Sequence, residues 1–446
     1  MIGTKERSSP APSKGIRRVW LSVKQSFAKT PTLGWITGIL IAAVLEMLIG
    51  LPLARAFGLS KVPVLFGVDI ILKTPALLPA SLLYDLIIYI LPLFLVVRFL
   101  TPLTNRVAGW LLRFPLLVSA LVHMGLLYLA LSMWTGVSDY RLLVAKLMMI
   151  AIMVTLSLNV VNGFMGEFSC SHPGFMALGA YAASLVTVML FVDSSFGPAR
   201  LPAFLGPFVF PLALILGGAV ASLGALLVAI PSFRTRGDYL AIISLAFLFI
   251  VKSLFENLEV LGGARGFGNQ PDWATLPVVF IWTMICIWVI NNFVRSIMGK
   301  ALNAVRDNEL AADAMTVDTR KTKMITFLFA AFWAGVAGGL FAHVLRYVNP
   351  STFGLQKLAE VLAMLYFGGL NSVTGSIVGA VGYNLLSEML RPLELFKWII
   401  IPLLLILVMI YRPTGLIAFR EFDLQKILQP KTQPVKEEVK DVSVAS

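Results

Sequence analysis

Along the chain, apolar residues gather into blocks of about 20 separated by short polar stretches. Twenty residues of helix is the length that crosses the hydrocarbon of a bilayer. The blocks fall near 35–54, 79–97, 114–134, 142–164, 174–192, 207–231, 238–256, 273–294, 324–346 and 396–411. A further stretch, 357–390, is interrupted by GGLNSVTG at 368–375, which predicts either two short spans or one broken, re-entrant helix. Lipid offers no hydrogen bonds, so each span must satisfy its own backbone as helix. The pattern therefore predicts an all-α polytopic transmembrane bundle of about 10–12 spans.

Composition agrees. Of the 446 residues 58% are hydrophobic and 13% charged, about half the charge of an ordinary soluble domain. A single water-facing core could not hide that much apolar side chain. Two cysteines, Cys170 and Cys286, exclude a disulfide scaffold and a zinc cluster built from Cys alone. Three histidines far apart leave little for a metal or acid–base site, and no metal site is expected. The net charge of +13 raises the question of nucleic acid, but its distribution answers otherwise. With the N-terminus in the cytosol and twelve spans, Lys and Arg favour the cytosolic segments by about three to one, as the positive-inside rule requires. The partner of this charge is the lipid bilayer. The 55–78 loop, with three basic residues outside, fits least well.

Four regions follow. Residues 1–33 carry seven basic side chains against one acid and no cleavage site, and read as a cytosolic tail rather than a removed signal peptide. Residues 34–140, which carry no readable motif, read as accessory transmembrane helices. Residues 141–411, dense in Gly and Ala at helical spacing, read as the working core. Residues 412–446 read as a cytosolic tail, disordered or lying on a surface.

The sequence holds no GxxxxGK[ST] phosphate loop and no HExxH. If transport uses ATP, another polypeptide must hydrolyse it, and this chain needs a cytosolic docking element. The longest internal cytosolic loop is 295–323. Read as one helix from Lys300, it places Ala301, Ala304, Val305, Ala311, Ala312 and Met315 on one face, interrupted only by Asn308. Lys300, Asn303, Arg306, Asp307 and Asp313 lie largely opposite. Such a helix can seat in a partner's groove or lie on the membrane surface. The mixed charge of the loop weakens the second reading.

The next span sets Ala331, Gly335 and Gly339 four residues apart, a spacing that lets helices approach closely. Gly375 with Gly379, and Gly217 with Ala221, repeat it. The Gly- and Asn-rich breaks at 159–166 and 368–375 are where a polar path is expected. Unwound backbone at membrane depth survives only inside protein or beside water. Candidate path residues are Asn159, Asn162, Ser169, His172, Gly368, Gly369 and Asn371. If 368–375 is simply a cytosolic hairpin turn, that inference fails. Of the ionisable residues in spans, Glu46 is deepest but lies in the accessory region. Asp85, Lys146, Lys252, Glu360 and Glu388 stand near span ends. A carrier driven by protons or sodium would show acids midway through its core spans, and none stands out. His123 and His343 read as satisfied interior or interfacial histidines.

In order, LNVVNGFMGEFSCSHPGFMALGAY (158–181), PSFRTRGDYLAI (231–242), LGGARGFGNQP (261–271), MGKALNAVRDNELAADA (298–314), WAGVAGGLFA (333–342) and GGLNSVTGSIVGA (368–380) resemble the membrane permease of the branched-chain amino acid ABC importers. The resemblance is to the longer of that importer's two permease subunits and covers about 142–411. It implies transport of leucine, isoleucine and valine by alternating access across the bacterial inner membrane, with no catalysis in this chain. The implied partners are a second homologous permease, two ABC ATPases that use ATP and Mg, and a periplasmic or extracellular solute-binding protein. It also implies that 298–323 is the ATPase-coupling segment, in which Gly299, Arg306, Glu309, Ala311, Ala312 and Lys323 match the family's pattern, with Ala301 and Asp307 beside them. Thr316 stands where the family usually has Gly, so a different turn is expected there. Asn371 likewise occupies a usual Gly position and could alter the local bend. SCSHPGF at 169–175 is similar to the family's SLGHAAF, with Pro173 departing. Related permeases carry urea, short amides and other small polar solutes. An ion-coupled secondary transporter and an integral membrane enzyme are the readings from other classes.

Overall fold

The computed structural model describes residues 27–59, 62–63, 75–193, 197–233, 239–412, 415–417 and 423–431. The basic residues before Phe27, the arginines at 234 and 236, and the chain beyond 431 lie outside the described residues. Two compact units form: one of residues up to Val137 with those from Asp423 onward, the other from Ser138 to Phe422.

The first unit holds α1 (Thr32–Ala56), α2 (Leu78–Leu111) and α3 (Leu116–Thr135), all long and apolar enough to span. The α2 helix corrects the expected span of 79–97, because it runs on through the supposed loop to Leu111. Pro92 and Pro102 each lack an N–H, and each follows a π-helical turn, Leu86–Ile90 and Val96–Leu100. The wider turns absorb the missing bonds, so the helix adjusts without ending. Glu46 and Asp85 are both buried here, with the Tyr84 hydroxyl donating to Glu46 Oε1 at 3.3 Å. Residues 423–431, expected in a free tail, instead include a short helix, Leu424–Leu428. Thr32 Oγ1 donates to the carbonyl of Ile427 at 2.5 Å, and Leu428 is buried.

The second unit is built around α4 (Asp139–Met165), whose last six residues, Val160–Met165, are π-helical. Then come α5 (His172–Phe191), α6 (Gly206–Ser232), α7 (Tyr239–Asn257) and α8 (Leu276–Arg295). Two short helices follow, α9 (Ile297–Asp307) and α10 (Glu309–Ala314), then α11 (Thr319–Leu345). The interrupted stretch resolves into two helices, α12 (Leu355–Gly368) and α13 (Val373–Met389), and α14 (Lys397–Tyr411) ends the unit. A two-residue ladder pairs β1 (Phe267–Gly268) antiparallel with β2 (Tyr347–Val348). Among the described residues nine helices meet the length and hydropathy needed to cross a membrane, six of them in this unit.

The core of the unit is held by small residues. A Cβ on Gly179 of α5 would strike the backbone of Gly335 on α11. A Cβ on Gly335 would lie 2.5 Å from the Cβ of Ala221 and 2.9 Å from the Gly217 carbonyl, both on α6. Gly339 faces Leu214 and Ala183, and Ala331 is fully buried. Helices in lipid gain little from the hydrophobic effect, so such close approach is what binds them. His343 is buried and paired, Nδ1 to the Gly339 carbonyl at 2.7 Å and Nε2 to Thr187 Oγ1 at 2.9 Å.

Candidate functional site

The expected single amphipathic helix from Lys300 is two helices. Asn308 has φ −161° and ψ 104°, and its Oδ1 accepts from the Ala311 amide at 3.0 Å. A short amide side chain that bonds nearby backbone ends one helix and starts the next. The faces shift accordingly. Gly299, Leu302, Val305 and Ala312 are buried, Ala301 is half-buried, and Ala304, Ala311 and Met315 are exposed. Leu310 (69% exposed), Ala311, Ala314 and Met315 (77%) make an apolar tip at the end of α10.

The two helices are pinned to the ends of spans. Ser296 caps α9, accepting from the Gly299 amide at 3.4 Å, and a Cβ on Gly299 would overlap the Val294 carbonyl. Arg306 turns its guanidinium to Asp307, Nη2 to Oδ1 at 2.7 Å. Its aliphatic stem lies on Gly166, where a Cβ would come within 2.5 Å of Arg306 Cγ. Gly166 has φ +78° and closes the π-helical end of α4. Lys323, in the first turns of α11, reaches Glu309 Oε2 at 2.8 Å and Glu167 Oε1 at 2.7 Å. So Glu309 and Lys323, both expected to face a partner, face each other.

The two breaks also meet. Asn159 Nδ2 donates to the Ser372 carbonyl at 3.0 Å and to Ser376 Oγ at 2.6 Å, while its Oδ1 accepts from the Asn371 amide at 3.1 Å. Gly163 stands so near that a Cβ would lie 2.7 Å from that amide. Asn159 comes about 30 Å of helix after Asp139, the full hydrocarbon thickness. The 369–372 turn therefore meets α4 at the end that carries α9 and α10, so 368–375 is a hairpin turn between two helices at the span ends and not unwound backbone at membrane depth, and the expectation of a polar path there fails. Gly368, Gly375 and Gly379 hold α12 against α13, and residues 415–417 fold back, with the Ile417 amide donating to the Gly368 carbonyl at 2.9 Å. Gly369 has φ +121°. Asn162 Oδ1 accepts from the Ser169 amide at 3.2 Å, and His172 is buried edge-on against Phe175. Cys170, in the same connection, donates its amide to Ser244 Oγ, and burial pushes its thiol up. Thr316 (φ +68°) and Asn371 (φ +56°) keep the left-handed turn a glycine would supply. Among the described residues no group of three His, Cys, Asp or Glu could hold a metal. Glu167 was not legible as a site residue, since it stands alone in an irregular segment 156 positions from Lys323.

A helical unit packed at glycines, with a capped helix pair fastened to its span ends, is the architecture of a polytopic membrane protein. The family described as branched-chain amino acid transport system / permease component matches residues 140–410. The chain belongs to that family, as a transport subunit and not an enzyme. It is 31% identical over 327 residues to the high-affinity branched-chain amino acid transport system permease protein LivM of Escherichia coli K12, covering 66% of this chain and 73% of that one. The LivM of Salmonella typhimurium is 30% identical over 66% and 74%. The LivH permease of the same system in E. coli K12 is 24% identical over 61% and 92%. Two homologous permeases thus belong to one such system. No solved structure matches the chain.

Proposed function

We propose that the chain is a pore-forming subunit of a bacterial inner-membrane importer for leucine, isoleucine and valine. It pairs with a second homologous permease, the complex holds two ATPases of which one docks on this chain's cytosolic end, and an external binding protein delivers the solute. ATP and Mg act in the ATPases. Closure of those subunits pushes the docked helices and rocks the spans between outward- and inward-open states. The observation that carries this reading is the α9–α10 pair, which exposes an apolar tip at Leu310 and Met315 while fastened to α4 and α11 through Arg306 and Lys323. Exposed apolar side chains on a short helix fit a groove on a partner.

The test is uptake of radiolabelled leucine by vesicles holding the full complex. Leu310→Asp with Ala311→Glu is expected to abolish ATP-driven uptake and to lose the docked ATPase on co-purification, with the melting temperature of the chain unchanged. Unchanged uptake overturns the docking role. Uptake by the chain alone, driven by an ion gradient, overturns the importer reading.

A further inference from the structure

We propose that Glu167, Lys323 and Glu309 form an ion bridge that positions the end of α4, so that movement of the docked helix pair reaches the 369–372 turn through Asn159. This rests on the docking reading and adds the route by which docking acts.

Lys323 is the middle member. Its side chain is 10% exposed, Glu167's 25% and Glu309's 49%. A cation so far from water needs its partners, because a lone charge there would be strongly penalised. Glu167, at 25% exposure, is the more deeply set of its two carboxylates. The three charges come from three elements: the first residue of α10, the first turns of α11, and the connection that leaves α4. They therefore behave as one joint.

The joint continues along α4. The Glu167 amide donates to the Val161 carbonyl at 3.3 Å, binding the residue to the π-helical segment. The Arg306 stem on Gly166, the residue before Glu167, is a second grip on the same connection. At its other end the segment starts beside Asn159, whose amide makes the three hydrogen bonds to Ser372, Ser376 and Asn371. A π-helical turn is a rare departure from the α-helix, often found at functional sites, and here it lies between the two grips. Glu309 is thus linked to Asn371 by polar contacts at both ends of the π-helical segment and by the backbone of α4 between Val161 and Asn159.

The full complex in lipid vesicles gives the test, reading leucine molecules imported per ATP hydrolysed. Glu167→Gln keeps the shape and removes one charge. It is expected to leave the ATPases bound and ATP hydrolysis within twofold, while import per ATP falls tenfold or more. Lys323→Met should do the same, and the conservative Lys323→Arg should restore at least half of wild-type import per ATP. Should Glu167→Gln not assemble, Glu167→Asp, one methylene shorter, should show the same loss. An unchanged ratio in Glu167→Gln or Glu167→Asp overturns the bridge. Loss of assembly in both overturns it as well, because the bridge would then serve folding and not transmission. If the wild-type complex imports nothing with ATP, the docking reading falls, a result distinct from either.

Discussion

The two units solve the same problem, helix association in lipid, with different materials. In the first unit only 17% of the α3 window and 28% of the α1 window is buried, and Met47, Leu48, Phe99 and Leu117 stand exposed as lipid would have them. In the second, 78% of the α4 window and 72% of the α11 window is buried. Glycines mark the contrast. In the first unit a Cβ on Gly34, Gly38 or Gly50 would meet side chains and one on Gly109 or Gly125 open space, whereas on Gly179, Gly217 or Gly335 in the second it would meet backbone. Close backbone approach is what holds helices together in lipid, so the second unit is the one whose geometry is specified residue by residue.

Side-chain bulk breaks this comparison most sharply. Gly335→Leu must displace Ala221 and the Gly217 carbonyl, an overpacking that costs about 3 kcal/mol or more where backbone must move. The chain should melt well below wild type in detergent and lose uptake. Gly125→Leu should melt within about 0.5 kcal/mol of wild type, as free surface positions do. Equal effects at the two sites would erase the distinction.

Polar contacts give a smaller effect. Asn159→Ala strands the Asn371 amide, at about 1–3 kcal/mol for a buried group left unpaired, while the Ser372 carbonyl keeps the Ser376 amide at 3.0 Å. Faster hydrogen exchange of amides 369–373 should report it, with uptake reduced and the remaining spans unchanged. Within the first unit, Ser132→Ala removes only an exposed hydroxyl that donates to its own helix at Leu129 and should change neither.

The apolar blocks made most spans legible, because a 20-residue helix and a bilayer share one length. The small-residue spacing at Ala331, Gly335 and Gly339 pointed to the packed face for the same physical reason. What escaped depends on contacts between distant residues. The helix through Arg98 and Arg106 looked like a loop, since polar side chains and Pro102 hid a continuous backbone. Asn308 read as a flaw in one face, although its side chain makes it a junction. Glu167 carried no periodic signal, and only the fold brings it 2.7 Å from Lys323. The candidate path residues were chosen for their breaks, and the structure joins Asn159 to Asn371 and Asn162 to Ser169 while His172 packs apart against Phe175.

The smallest expected effect sharpens the comparison within the second unit. Thr316 and Asn371 both hold positive φ, a conformation that costs an ordinary L-residue about 1–2 kcal/mol. Glycine there removes the strain but loses more freedom on folding, about 0.5–1 kcal/mol. Asn tolerates the left-handed region better than a β-branched residue does. Thr316→Gly should therefore stabilise the chain by about 1 kcal/mol, and Asn371→Gly by less. Thermal melting in one detergent measures both. Asn371 donates its amide to Asn159, a bond glycine retains, so a large loss there would mean that its side chain, and not its backbone, holds the turn.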